Sequence, residues 1–298
     1  GGMVLLKQYS ILERRSLKWV YLFLMPTLVL FILFYLVPII TVFYTSFTKW
    51  DGFNQPVFNG IDNYLRLFNI ASFRNSLSNL GAWSFIAMTL HVGFGVLVAF
   101  LLFQKLRGWK FVRAVFMIPN VISVAAWAMI YRFIFNNDFG LLNSIICVFD
   151  PGFFVNWFFK SPYAFWAVTF TWLFYAVIVT LIVLGDLMAI PKSLHEAADI
   201  DGAKGIHKLL YIDLPLCKSS IGTGIIISIT SRIAMYEAIA LTTRGGPGND
   251  TMNLALILVK SLNDYNYGLS NATAMLMFLF GILVMQIINK VLKMGESY

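Results

Sequence analysis

The 298 residues are 59% hydrophobic and only 12% charged, with mean hydropathy +0.77. A water-soluble domain of this size carries about twice that share of charge, so a surface wetted by lipid is expected. The net charge of +8 does not indicate nucleic acid, because the lysines and arginines gather in short segments between apolar runs, the pattern of a chain sided across a bilayer.

Gly1 and Gly2 precede Met3 and are read as an expression remnant. A helix that crosses the hydrocarbon core needs about 20 mainly apolar residues. Six runs satisfy this, near 19–44, 77–103, 111–135, 163–187, 219–242 and 270–292. The expected fold class is therefore all-α: a polytopic membrane protein with one transmembrane domain over residues 1–298. The first run is too long for a cleaved signal peptide and lacks a small-residue cleavage site after it, so it is expected to stay in the mature protein. Pro26 and Pro38 interrupt it, and Pro119 and Asn120 fall inside the third run; such prolines are tolerated where neighbouring groups take up the freed carbonyls.

Orientation follows from the cations. Lys7, Arg14, Arg15, Lys18, Lys105, Arg107, Lys110, Arg113, Lys192, Lys204, Lys208, Lys218, Lys290 and Lys293 fall on one side of the six runs. The other side holds Lys49, Arg66, Arg74, Lys160, Arg244 and Lys260. The richer side is expected to be cytoplasmic, with both termini inside. Cys147 and Cys217 then face opposite compartments, and no disulfide is expected.

The connection at 188–218 is polar, mixed in charge and too organised for a tether. Pro191 ends the preceding run, and Ser193-Leu194-His195-Glu196 reads as a capping box. A short helix is expected to begin at Leu194, pass through Ala197 and Ala198, and break near Gly202, with Pro215 marking the approach to the fifth run. Small alanines on a short cytoplasmic helix suit docking into a groove of another protein. A helix lying on lipid headgroups would need a stronger apolar face and fewer acids than Glu196, Asp199, Asp201 and Asp213.

Glu196-Ala197-Ala198, three residues, Gly202, nine residues, then Ile212-Asp213-Leu214-Pro215 resembles the EAA signature of permeases in bacterial binding-protein-dependent ABC importers. Nearly the whole chain resembles the carbohydrate-uptake branch of that family, through Gly60-Ile61-Asp62-Asn63-Tyr64, the segment from Phe111 to Pro119, Gly140-Leu141-Leu142-Asn143, and Leu241-Thr242-Thr243-Arg244-Gly245-Gly246-Pro247. It departs in having Tyr236-Glu237 where the family often has Phe-Asp, and in lacking the larger external domain that many members carry. The resemblance implies a type I importer permease in a bacterial plasma (inner) membrane. It pairs with a second, homologous permease chain, commonly as a heterodimer, with two cytoplasmic ATPase subunits and an external solute-binding protein. It further implies an ATPase-coupling surface of Glu196, Ala197, Ala198, Asp199, Gly202, Leu214 and Pro215, with Glu196 meeting a basic residue of the ATPase. The chain has no Gly-Lys dipeptide and hence no P-loop, so ATP and magnesium are expected on the ATPase partner, with no cofactor, catalytic or metal site here.

The rival reading is an ion-coupled secondary transporter, which would show acids buried within spans and inverted repeats; only Asp186 and Glu237 lie near span ends. His91, alone among histidines in mid-span, is expected to be a hydrogen-bonded packing residue. Sugars are held by aromatic faces with polar groups beside them, which nominates Trp172, Tyr175, Tyr236 and Arg232 as solute-pathway residues. Arg232 lies deep in the fifth run, where an uncompensated charge costs at least about 2.5–3.5 kcal/mol. Glu237, a group on the second permease, or the solute could compensate it. Glu237 is about 140° round the helix, which disfavours an intrahelical pair. Since guanidinium grips a carboxylate with two parallel hydrogen bonds, the expected solute is a di- or oligosaccharide, with an acidic, uronate-containing one as the refinement.

Overall fold

The computed structural model describes residues 19–294. Among the described residues four helices are long and apolar enough to cross a membrane: α1 (Trp19–Ser46), α3 (Ala71–Phe103), α7 (Tyr163–Ala189, its second half α8 being Val177–Ala189) and α14 (Tyr267–Leu292). Two bent pairs bring the number up to six when each is counted as one span. These are α4 with α5 (Trp109–Val121 and Val124–Ile134) and α10 with α11 (Gly205–Leu216 and Lys218–Ile233). Shorter helices fill the connections: α2 (Asp62–Asn69), α6 (Leu141–Phe149), α9 (Lys192–Ile200), α12 (Glu237–Ala240) and α13 (Leu254–Asn263). A two-residue hairpin, β1 (Thr48–Lys49) with β2 (Val57–Phe58), pairs Thr48 with Phe58.

The centre of the bundle is made by α3, α7 and α11, which approach closely because small residues meet there. A Cβ on Gly95 would sit 2.9 Å from Val179, and one on Gly224 3.1 Å from the same residue. Thr180 Oγ1 donates across the first of these contacts to the Gly95 carbonyl at 2.9 Å. Val98, Val183, Leu187 and Cys217 pack around this seam; Cys217 and Cys147 are free thiols. The second half of α1 lies on α14, tied by Asn271 Nδ2 donating to Thr45 Oγ1 at 2.7 Å. Asn63, buried, donates to the carbonyls of Ser46 and Thr48 and fastens α2 beneath the hairpin. The first half of α1 stands exposed along its length.

Three of the expected runs are not single helices. The run at 111–135 is two helices meeting at 104°. Pro119 tightens the chain into a 3-10 turn over Ile118–Val121, and Ser123 then caps α5 by accepting from the Ala126 amide at 3.2 Å. The run at 219–242 is bent by 69° from α10 at its start. It stops at Ile233 and resumes as α12 after an irregular Ala234–Tyr236. The run at 163–187 breaks within α7, between Leu173 and Val177. The breaks in α7 and at Ala234–Tyr236 survive because side chains from other elements capture freed carbonyls. Trp127 Nε1 donates to Thr171 O (2.6 Å), His91 Nδ1–H to Leu173 O (2.9 Å) and Asn253 Nδ2 to Met235 O (2.5 Å). His91 is thus the hydrogen-bonded packing residue expected, set in a widened π-helical turn of α3 at Ala87–His91.

The capping box does not form. α9 begins at Lys192 with Pro191 in the cap position and no side-chain cap bond. The fixed φ of proline starts the helix two residues earlier than the Ser193 box would, and Ser193 and Glu196 are both exposed.

Candidate functional site

The breaks in α4–α5, α7 and α11–α12 face one another across a cavity of about 450 Å3. Trp172, Tyr175, Arg232 and Tyr236 all line it, with Trp127, Ser231 and Glu237. Helix interruptions give this site its polarity: they free backbone groups and aim adjacent side chains inward, where an unbroken helix would present only apolar ridges. Tyr175, in the break of α7, donates its hydroxyl to Asn120 Oδ1 at 2.7 Å and so joins α7 to the turn before α5.

Arg232 occupies the last turn of α11. Its guanidinium carbon lies 4.1 Å from the centroid of the Trp172 ring, a cation–π stack. His91 also meets Trp172 edge-on, ring centroids 5.8 Å apart. The group His91–Trp172–Arg232 therefore joins α3, α7 and α11. Arg232 Nη1 contacts the Met235 sulfur at 3.8 Å. Arg232 Nε and Trp172 Nε1 are both buried and make no hydrogen bond. Among the described residues the ion pairs are Arg66–Asp62, His195–Asp213 and Lys208–Asp199. Glu237 is exposed at the cavity rim and forms no pair with Arg232; the expected turn of about 140° round one helix does not apply, because the break at Ala234–Tyr236 puts the two residues on separate helices. A guanidinium with no carboxylate beside it, at the wall of a cavity, is suited to an anionic or hydroxyl-rich guest.

The sequence-nominated residues of the loop at 188–218 divide by face. Glu196 and Ala197 are exposed, Ala198 is buried, and Asp199 pairs with Lys208. Gly202 ends α9 at φ +77°, where the Gly202 amide donates to Asp199 O (3.1 Å) and the Ala203 amide to Ala198 O (2.9 Å). A left-handed residue at this position favours glycine. Leu214 packs beneath the central seam, and Pro215 is exposed. Asp213 is buried, and His195 Nε2 lies 3.4 Å from its Oδ1. Burial raises the Asp213 carboxyl above its ordinary value, while the nearby His195 and Lys208 pull it back.

Sequence reasoning passed over Trp127 and Met235 in the cavity, Asn120 behind Tyr175, and His195 in the loop. Asn120 follows a proline inside an apolar run, which was the one signal available. Trp127 and Met235 look like ordinary lipid-facing or core residues, and only the folded breaks give them polar work. Among the described residues no group of His, Cys, Asp or Glu is arranged to hold a metal.

Residues 91–294 match the family described as binding-protein-dependent transport system inner membrane component. A trehalose/maltose transport system permease of Thermococcus litoralis is 30% identical, over 96% of this chain and 97% of that one. A probable starch degradation products transport system permease of Thermoanaerobacterium thermosulfurigenes is 28% identical over 88% and 89%. Among solved structures, a bacterial ABC transporter involved in import of the acidic polysaccharide alginate has a similar fold. Its TM-score is 0.80 at 19% identity, over 98% of this chain and 100% of that one.

Proposed function

The chain belongs to the family of inner membrane components of binding-protein-dependent transport systems, and from that premise we propose that it is the permease of an ATP-driven importer in which Arg232 meets an acidic group of an oligosaccharide. The relatives named for trehalose, maltose and starch products support a sugar cargo. The importers of similar fold are named for alginate, an acidic polysaccharide, one of them in complex with a pentasaccharide-bound periplasmic protein. They support both the acidic refinement and delivery by an external binding protein.

The observation that carries the reading is the guanidinium stacked on Trp172 at the cavity wall with no carboxylate paired to it. A carboxylate entering there gains two charge-assisted hydrogen bonds. The rings of Tyr175 and Tyr236 offer apolar faces to the C–H side of a pyranose. A neutral sugar could use the rings but would leave the charge uncompensated.

The remaining parts follow the family's division of labour. A second, homologous permease completes the pathway, two ATPases bind ATP and magnesium, and both termini lie in the cytoplasm of a bacterial inner membrane. The exposed side of α9, with Glu196 and Ala197, enters the ATPase groove, and closure of the ATPases turns the paired permeases outward. Family membership supports ATP-driven import over an ion-coupled transporter.

The test is Arg232→Met in the assembled importer, measuring uptake of a uronate-containing disaccharide beside its neutral counterpart. Uptake of the acidic sugar should be abolished with assembly intact. Acidic uptake at the parental rate rejects Arg232 as the solute anchor. Loss of assembly assigns it instead to the contact with the second permease.

A further inference from the structure

His195 lies outside the residues assigned to the docking surface. It and Asp199 lie one turn apart on α9, and both reach α10: His195 Nε2 stands 3.4 Å from Asp213 Oδ1, and Asp199 pairs with Lys208. The two contacts differ in environment. The Asp199 side chain is 65% exposed, and a pair so wetted contributes little. The Asp213 side chain is 8% exposed and that of His195 22%. His195 Nε2 and Asp213 Oδ1 are both shielded from solvent, and neither has a hydrogen-bond partner, so the 3.4 Å contact between them is the polar contact each makes. The Phe103 ring, at the end of α3, lies against the imidazole with centroids 6.1 Å apart. The other charged or titratable groups acting near Asp213 are Lys208 on α10, and Cys217, which also senses Asp186 on α7.

Asp213 stands just before the 69° bend into α11, and Arg232 is in the last turn of α11. From Lys218 to Arg232 is about 21 Å of continuous helix at 1.5 Å per residue. On either side of α9 the chain is irregular, at Ile190–Pro191 and at Asp201–Lys204 with Gly202 left-handed. A pull on α9 carried by these connections alone would be absorbed by their dihedral freedom. A buried contact resists separation, because parting it strands two shielded polar groups.

We propose that the His195–Asp213 pair is the clasp that passes movement of α9 to α11 and so to the cavity, with His195 a positioning residue and no part of the surface that meets the ATPase. The inference rests on the reading of α9 as the docking helix, and the test separates the two.

The complete complex, with its second permease and ATPases, would carry Ser231→Cys, a cavity-lining position. The rate of labelling by a membrane-impermeant maleimide is measured before and after the ATPases are trapped with ATP and vanadate. The same complex without Ser231→Cys supplies the background from Cys147 and Cys217. In the parent, trapping should change the rate by about tenfold, as expected for a shift between two states. His195→Gln keeps an N–H donor within reach of Asp213 and should respond like the parent. His195→Phe keeps the ring against Phe103 but loses the donor; its response should fall below about twofold, with the ATPases still co-purifying in parental amount. A parental response in His195→Phe overturns the clasp, as does a parent that fails to respond. Loss of co-purification confined to His195→Phe puts His195 in the docking surface and also overturns it, whereas its absence in the parent rejects the docking reading itself. If His195→Phe does not assemble, the exchange of His195→Asp with Asp213→His decides: recovered assembly and response support the clasp, and no recovery overturns it.

Discussion

Asn253 holds the break that shapes one wall of the cavity, and its replacement gives a stability change that can be worked out in advance. The side chain is 2% exposed and serves two elements. Its Nδ2 donates to the Met235 carbonyl at 2.5 Å, and its Oδ1 accepts from the Leu256 amide at 2.9 Å as the N-cap of α13. Asn253→Ala removes both. Loss of an N-cap costs about 1 kcal/mol, and a carbonyl left without its donor costs about 1–3 kcal/mol. Met235 borders the cavity, which admits water to the freed oxygen and favours the lower end, so the sum is about 2–3 kcal/mol. Asn253→Ser separates the terms, since serine caps a helix well but is too short to reach Met235; it should lose only about 1–2 kcal/mol. Equilibrium unfolding of the purified chain in mixed micelles measures both. An Asn253→Ser variant as stable as the parent would refute the claim that this bond maintains the break at Ala234–Tyr236.

In the coupling loop, Glu196→Ala should leave the thermal midpoint of the isolated permease unchanged, because the side chain is exposed, yet reduce ATPase co-purification and transport in cells. Gly202→Asp meets no neighbour within 4 Å but must hold φ +77°, a cost of about 1–2 kcal/mol, and should weaken docking too; normal co-purification and transport in this variant would overturn the docking assignment. The buried Asp213 carboxyl, raised from 3.8, means that the folded chain binds more protons than the unfolded one just above that pH. Stability from this group is therefore present below the ordinary carboxylate value and lost as pH rises through the raised one. The thermal midpoint of Asp213→Asn minus that of the parent should grow as pH rises across this window, and a constant or shrinking gap contradicts the assignment. Mass spectrometry of the intact importer should find one copy of this chain beside a different, homologous permease; two copies with no second permease would defeat the heterodimer proposal.

What was legible in the sequence was whatever depends on composition and local spacing. Six apolar runs, the short helix bearing Ala197 and Ala198, and the left-handed stop at Gly202 needed no knowledge of distant contacts. Arg232, Trp172, Tyr175 and Tyr236 could be nominated because a charge or a cluster of rings at that depth is conspicuous; the structure brings all four to one cavity. The breaks were not legible. In α7 the residues around Tyr175 are as apolar as a continuous helix requires, and the chain opens there because Trp127 and His91, far away in sequence, supply the donors. The start of α9 was misread for a related reason: two local signals competed, and Pro191 overrode the Ser193 box. The His195–Asp213 contact joins residues separated by a turn and a second helix, a distance over which spacing carries no information.

The three breaks around the cavity bear on how easily its walls can swing. In an intact helix, tilting one half against the other stretches the backbone ladder, and each rung given up leaves a carbonyl bare in a poorly hydrated place. Here the ladder is already open at the joints, and in α7 and between α11 and α12 its loose ends are held by the side chains of Trp127, His91 and Asn253. A swing at either of these joints need only trade one such side-chain grip for another or for a water molecule from the cavity. The activation barrier then scales with a few exchangeable hydrogen bonds and not with the melting of a helical turn, which leaves gating on the microsecond-to-millisecond scale of hinge motions without any loss of helical structure.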